Sequence, residues 1–326
     1  MLNKLRPGLA ALAAAFMLFT GGAHAQTGSP VREPETRDRV PEEALAALTA
    51  GPTRLIAKGR IAEAERMFEA LLRRQRPGTA AVADHLTSFG LAFFGAEDEA
   101  LRARSIPYFR RAVEAARSAF GPAHPEFALA LTTLADAQFE LQPDDPPAEA
   151  DAALGEAHRI RVAALGPRNI ETLATLLKMA QIAGLPARTR GDPARIAAAA
   201  TLYRQALATS DNRRGSAYSY DYNDFSILLD LAFTYARNAD ANAALGAAGE
   251  AIAAFARSRP GDPDDPCFAF QSRVLSVLSA LLDNGGKAEA DLLEARAERE
   301  LGACGVGEEA DFPERYSAIA TVLSSV

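Results

Sequence analysis

The sequence predicts an all-α fold, an α-solenoid of antiparallel helix pairs, on three observations. Apolar residues recur at i, i+3, i+4 and i+7 from Pro41 onward, the spacing of an amphipathic helix. No stretch alternates with the period of two that a half-buried strand requires. A block of sequence also returns. Phe120-Gly121-Pro122-Ala123-His124-Pro125-Glu126 reappears 45 residues later as Leu165-Gly166-Pro167-Arg168-Asn169-Ile170-Glu171. In both copies glycine suits the left-handed residue after a helix end, and proline bars the helix from continuing.

The chain opens with Lys4 and Arg6, an apolar run from Leu9 to Thr20, and then Ala23-His24-Ala25. Small residues at the first and third places before the cut fit a signal peptidase, so residues 1–25 are expected to be a signal peptide cleaved after Ala25. The run is too short to span a bilayer, which takes about 20 helical residues. No Arg-Arg pair precedes it and no cysteine follows the cut, so neither the twin-arginine route nor a lipid anchor is expected. The expected location is periplasmic or secreted. Arginine and alanine are frequent and lysine rare, as in GC-rich bacterial genomes. Residues 26–40 are polar and proline-bearing, and read as a disordered linker.

Residues 41–326 hold about six helix pairs. Each second helix carries a small residue, a larger apolar one four places on, and Ala or Leu three after that. The sets are Ala64/Phe68/Leu71, Ser105/Phe109/Ala112, Ala150/Leu154/Ala157, Ala199/Tyr203/Ala206 and Ala244/Ala248/Ala251, with a weaker Ala290/Glu294/Ala297. The first helices carry apolar, apolar, small, apolar at steps of three, one and three, best seen in Leu86/Phe89/Gly90/Phe93 and repeated through Ala135, Ala180, Ala232 and Ser279. The logic is steric: a small residue on each helix lets its partner approach, and the large residues fill the gap to the next pair. One pair cannot bury both faces, so pairs must stack. Gly51-Pro52 is expected to interrupt the first helix, leaving a cap or a broken helix. The last stretch, Ser317 to Ser325, reads as a closing helix.

This arrangement resembles the tetratricopeptide repeat (TPR). The first-helix pattern W-x2-L-G-x2-Y is echoed by Leu86-x2-Phe89-Gly90-x2-Phe93, though the repeat length of 41 to 49 residues exceeds the usual one of about 34. The Gly-Pro turns and the run from Phe120 to Ala135 resemble the kinesin-light-chain variety, LGPxHPxxAxxLxxLA. The resemblance implies a right-handed solenoid whose first helices line a groove for a protein or peptide partner. It places Thr87, Leu91, Thr132, Asp136, Phe139, Leu177, Gln181, Leu229, Phe233 and Ser276 toward that partner. Thr132-Thr133 and Leu177-Lys178 stand where light chains carry asparagines, so a light-chain type of cargo is not implied. Packing against the neighbouring repeat is the other reading for each of these residues. In segment 211–224, Arg213 and Arg214 precede Tyr218, Tyr220 and Tyr222, types favoured at interfaces; a long loop leading into a helix is the alternative.

No catalytic or cofactor pattern emerges. His85, His124 and His158 are not spaced as metal ligands, His124 sits where a helix starts, and the acidic clusters at Asp144-Asp145 and Asp262–Asp265 read as turns. The net charge of −7 disfavours nucleic acid, which needs a basic stripe. No second apolar stretch reaches spanning length. The expected function is a non-enzymatic scaffold or adaptor. A regulatory or substrate-presenting subunit of a cell-envelope enzyme, or a helical-toroid enzyme, are the alternatives.

Cys267 and Cys304 are each about 18 residues from the turn at Asn284-Gly285-Gly286, hence level with one another about 26 Å away on antiparallel helices. A disulfide there would close the open end of the hairpin and contribute about 3–4 kcal/mol by chain entropy; two unpaired thiols are the alternative. The intact mass of the exported, unreduced protein is therefore expected to match a chain starting at Gln26 and lacking two hydrogens. Two reactive thiols on that protein would remove the disulfide.

Overall fold

The computed structural model describes residues 42–210, 223–258 and 267–301. Among them every regular element is helical. The chain divides into two compact units, Met1–Phe120 and Gly121–Val326, and the division falls at the first of the two Gly-Pro turns. The signal segment, the linker, the closing stretch 317–325 and the Arg/Tyr segment 211–222 lie outside the described residues.

The first unit comprises α1 (Glu42–Ala57), α2 (Ile61–Leu72), α3 (Ala80–Phe94), a short α4 (Glu99–Ala103) and α5 (Ser105–Phe120). Helices α1 and α2 form one antiparallel pair, and α3 and α5 the next. Helix α1 corrects the sequence reading, since it runs unbroken through Pro52. Proline withholds one backbone N–H and crowds the preceding turn. Gly51 offers its ring no Cβ to clash with, and a Cβ there would also lie 3.0 Å from Met67 Sδ. Pro52 itself is buried, so packing offsets the lost bond.

The core of this unit is aromatic. Phe68 of α2 stacks on Phe89 of α3 at 3.9 Å, while Tyr108 of α5 meets Phe89 edge-on at 4.9 Å and stacks on Phe93 at 5.6 Å. Gly90 sits where α3 and α5 come closest: a Cβ there would lie 2.7 Å from Phe109 Cε1. Around this core Arg104, between α4 and α5, pairs with Glu65 of α2 at 2.7 Å, and Arg111 of α5 pairs with Glu69 of α2 at 2.5 Å. The Tyr108 hydroxyl donates to Glu65 Oε1 at 3.3 Å, and burial pushes its pKa up to about 12.

The second unit holds α6 (Pro125–Leu141), α7 (Ala148–Leu165), α8 (Ile170–Ala183), a short α9 (Pro186–Thr189), α10 (Pro193–Thr209), α11 (Asp224–Arg237), α12 (Ala241–Ser258), α13 (Cys267–Asp283) and α14 (Lys287–Leu301). The pairs are α6/α7, α8/α10, α11/α12 and α13/α14. In each pair the small residue that the sequence pattern marks on the second helix (Ala150, Ala199, Ala244 and Ala290) is fully buried.

The repeated block is repeated in conformation too. Gly121 and Gly166 share a φ near +87° and +86°. Three residues on, His124 Nδ1 accepts from Glu126 N at 3.1 Å and Asn169 Oδ1 accepts from Glu171 N at 2.9 Å, each capping the next helix. Two short helices, α4 and α9, are absent from the sequence reading. Both sit in the link within a pair, and α9 falls in the longest interval between the small second-helix residues, from Ala150 to Ala199. In α9, Arg188 pairs with Asp151 and donates to Pro146 O, fastening the insertion to the preceding pair.

The weak sixth set shows why it is weak. Ala290 and Ala297 are fully buried, but Glu294 occupies the place that Phe68, Phe109, Leu154 and Tyr203 fill elsewhere. Partial burial first, then Glu298 and Asp291, raise its carboxyl pKa.

Two glycine-to-alanine changes are expected to move stability in opposite directions. Gly90→Ala forces a methyl against Phe109 and should lower the urea midpoint by the equivalent of about 1–3 kcal/mol. Gly155→Ala adds a methyl in open space on α7 and should raise stability by about 0.5–1 kcal/mol.

Candidate functional site

The small residues of the first helices give a common reference along the second unit: Ala135 on α6, Ala180 on α8, Ala232 on α11 and Ser279 on α13. One place after it stand Asp136, Gln181 and Phe233; two places before it stand Lys178 and Asp230. These two sets meet across successive helices. Lys178 Nζ lies 3.2 Å from Asp136 Oδ1, and Gln181 Nε2 donates to Asp230 Oδ2 at 3.4 Å. Arg273 of α13 then closes on the far oxygen of Asp230 at 3.2 Å. The outcome is a line of polar rungs crossing α6, α8, α11 and α13.

Aromatic rings accompany the rungs. Lys178 Nζ sits 4.8 Å from the centroid of the Phe139 ring. Farther along, Phe233 is 36% exposed and the guanidinium of Arg237 lies 5.7 Å above it. A cation over a ring face is an electrostatic attraction. Here it also keeps flat apolar surface and charge side by side, the combination that protein interfaces favour.

The residues expected to face a partner fall into two groups. Asp136, Phe139, Gln181 and Phe233 stand on this line, Ser276 is exposed, and Thr87 and Leu91 are partly exposed on α3. Thr132, Leu177 and Leu229 are buried. Leu229 is 1% exposed within the core of the second unit, so it presents no surface to a partner. All three stand three places before the small reference residue, the place held by the partly exposed Thr87 on α3 and the exposed Ser276 on α13. Arg213, Arg214, Tyr218, Tyr220 and Tyr222 lie outside the described residues, as does the Cys267–Cys304 pairing.

Lys178, Asp230, Arg237 and Arg273 are missing from the expected set. The signal for two of them is visible in hindsight: a charge two places before one small residue, opposite a polar side chain one place after the preceding one.

Beneath the rungs lies a buried charge. Arg161 of α7 is 4% exposed. Its Nη1 donates to Thr175 Oγ1 at 2.6 Å and to Glu171 O at 3.3 Å, and its Nη2 to Thr132 Oγ1 at 3.5 Å. Glu171 Oε2 approaches its Nε at 3.4 Å. One turn earlier on α7, the buried Nδ1 of His158 has no hydrogen-bond partner. Burial lowers the His158 pKa, a bond to the Thr172 backbone acts against this, and the Arg161 cation lowers it further.

The other two described histidines make local hydrogen bonds within the fold. His85 is buried and its Nδ1–H donates to Ala81 O at 2.5 Å, while His124 is a helix cap. Among the described residues no three His, Cys, Asp or Glu side chains gather as a metal site. No described helix is long and apolar enough to cross a membrane.

No family model and no curated protein matches the chain. Solved structures do. BtubC (BKLC) from P. vanneervenii aligns at 16% identity and a TM-score of 0.47, over 82% of this chain and 95% of its own. A candidate kinesin light chain with nearly identical TPR-like repeats, from Podospora anserina, aligns at 15% identity and a TM-score of 0.43, over 78% of this chain and 98% of its own.

His158 makes stability depend on pH. A histidine whose pKa is lowered by folding holds fewer protons folded than unfolded, so its contribution is present above the unfolded value of about 6.5 and is lost as pH falls below it. Urea midpoints are expected to drop between pH 7 and pH 5, and His158→Gln to flatten that slope. An unchanged slope in the variant would assign the pH dependence to other groups.

Proposed function

We propose that this chain is a bacterial exported scaffold or adaptor without catalytic activity, and that it binds a partner protein or peptide outside the cytoplasm on the face lined by its first helices. The observation that carries the reading is the line of rungs through Asp136–Lys178 and Gln181–Asp230–Arg273, flanked by Phe139 and Phe233. Such partly exposed ion pairs contribute little to folding, about 0–1 kcal/mol each. Their recurrence from pair to pair is better explained by recognition than by stability. The stacked-pair architecture supports the same reading, because it displays a row of equivalent positions along the first helices. Export is supported by the basic, apolar and small-residue order of residues 1–25.

The test is capture from periplasmic extract with the full mature chain as bait, the recovered proteins being identified by mass spectrometry. Lys178→Ala combined with Phe233→Ala is expected to weaken capture roughly tenfold or more while leaving the circular dichroism spectrum unchanged, since a few side chains carry most of an interface's binding energy. Undiminished capture by the folded double variant would move the binding surface elsewhere. Recovery of one dedicated enzyme, activated or inhibited by the chain, would favour a regulatory subunit over a general adaptor.

A further inference from the structure

Arg161 stands four places after the third small residue of its second helix. The same place is held by Ala116 in α5 and by Phe255 in α12, each 2% exposed, and by Ser210 at the end of α10. Where this position is fully buried elsewhere, it holds a methyl or a phenyl group; the polar Gln75 and Ser210 there are only partly buried. An arginine there must be stripped of water, a cost of several kcal/mol for a buried ion that attraction to one partner need not repay. Glu171 is 43% exposed, so solvent screens part of what it returns. Stability alone gives no reason for this residue.

Its bonds show what it does instead. The planar fork reaches out of α7 in two directions, to Thr132 on α6 and to Thr175 and Glu171 on α8. Guanidinium geometry is rigid and directional, so both hydroxyls satisfy it only at one offset of the two helices. Thr132 lies one turn before Asp136, and Thr175 one turn before Lys178, and these are the two ends of the first rung.

We propose that Arg161 is a positioning residue that sets the register of α6 relative to α8, and so aligns the Asp136–Lys178 rung on the outer face. The part about the outer face rests on the binding role proposed above; the register does not. A buried polar group used to select one packing over near alternatives is an established use of such residues. Apolar contacts alone tolerate small slides at little cost.

The experiment compares the full mature protein with Arg161→Met by thermal unfolding and by hydrogen exchange resolved to peptides. The expected result is an unfolding midpoint equal to or above that of the parent, with exchange in residues 125–141 and 170–183 faster by roughly tenfold and residues 267–283 unchanged, the pattern of a local loosening. Two results would overturn the proposal. One is unchanged exchange in those helices in the folded variant. The other is a lowered midpoint with exchange accelerated throughout, which would make Arg161 a general stabiliser. If Arg161→Met does not fold, Thr132→Val combined with Thr175→Val removes both hydroxyl anchors and is read by the exchange pattern alone, because an arginine left buried without those acceptors lowers the midpoint in any case. Exchange is measured without a partner, so failure of the capture experiment leaves this result standing, and the reverse.

Discussion

Ala64, Ser105, Ala150, Ala199, Ala244 and Ala290 are all fully buried, one in each second helix, and each lets another helix lie almost against its backbone. Much of the structure depends on that close approach. Helices this near can fill the space between them with one layer of Leu, Phe or Tyr, and no tryptophan is needed. At Gly90 the approach excludes even a methyl group, which would enter the Phe109 ring. In the last described pair Glu294 stands where other pairs carry a large apolar residue.

A core built this way consumes the inward half of every helix and leaves the outward half free to vary. The first helices use that freedom in a regular manner. Lys178 and Asp230 occupy equivalent places, and each meets a polar side chain one repeat earlier. Since the apolar layer already supplies the cohesion, these rungs add little to it. What they provide is a patterned surface, with cations held over Phe139 and Phe233 and carboxylates set between them.

Arg161 links the two layers. Where its counterparts Ala116 and Phe255 simply fill space, it carries a charge into the core and spends its hydrogen bonds on two neighbouring first helices. His158 beside it shares the same scarcity of water, and for that reason its proton affinity falls.

The helix pairs, their order and the small-and-large alternation were legible from residue spacing, because a helix repeats every 3.6 residues and exposes its inward face in the sequence itself. The Gly-Pro blocks also announced their own conformation: left-handed glycine has few substitutes, and Gly121 and Gly166 adopt it alike. Tertiary structure decided the rest. Spacing says that a residue leaves the intra-pair core, but whether it meets solvent or the next pair depends on a helix some 45 residues away. That is why Thr132, Leu177 and Leu229 read as surface and are buried. Pro52 broke a local rule and stayed helical because Gly51 and burial removed the penalty. The rungs and the Arg161 fork join residues 10 to 49 positions apart, and no local pattern fixes which side chain answers which. Only the stacking of the pairs brings them together.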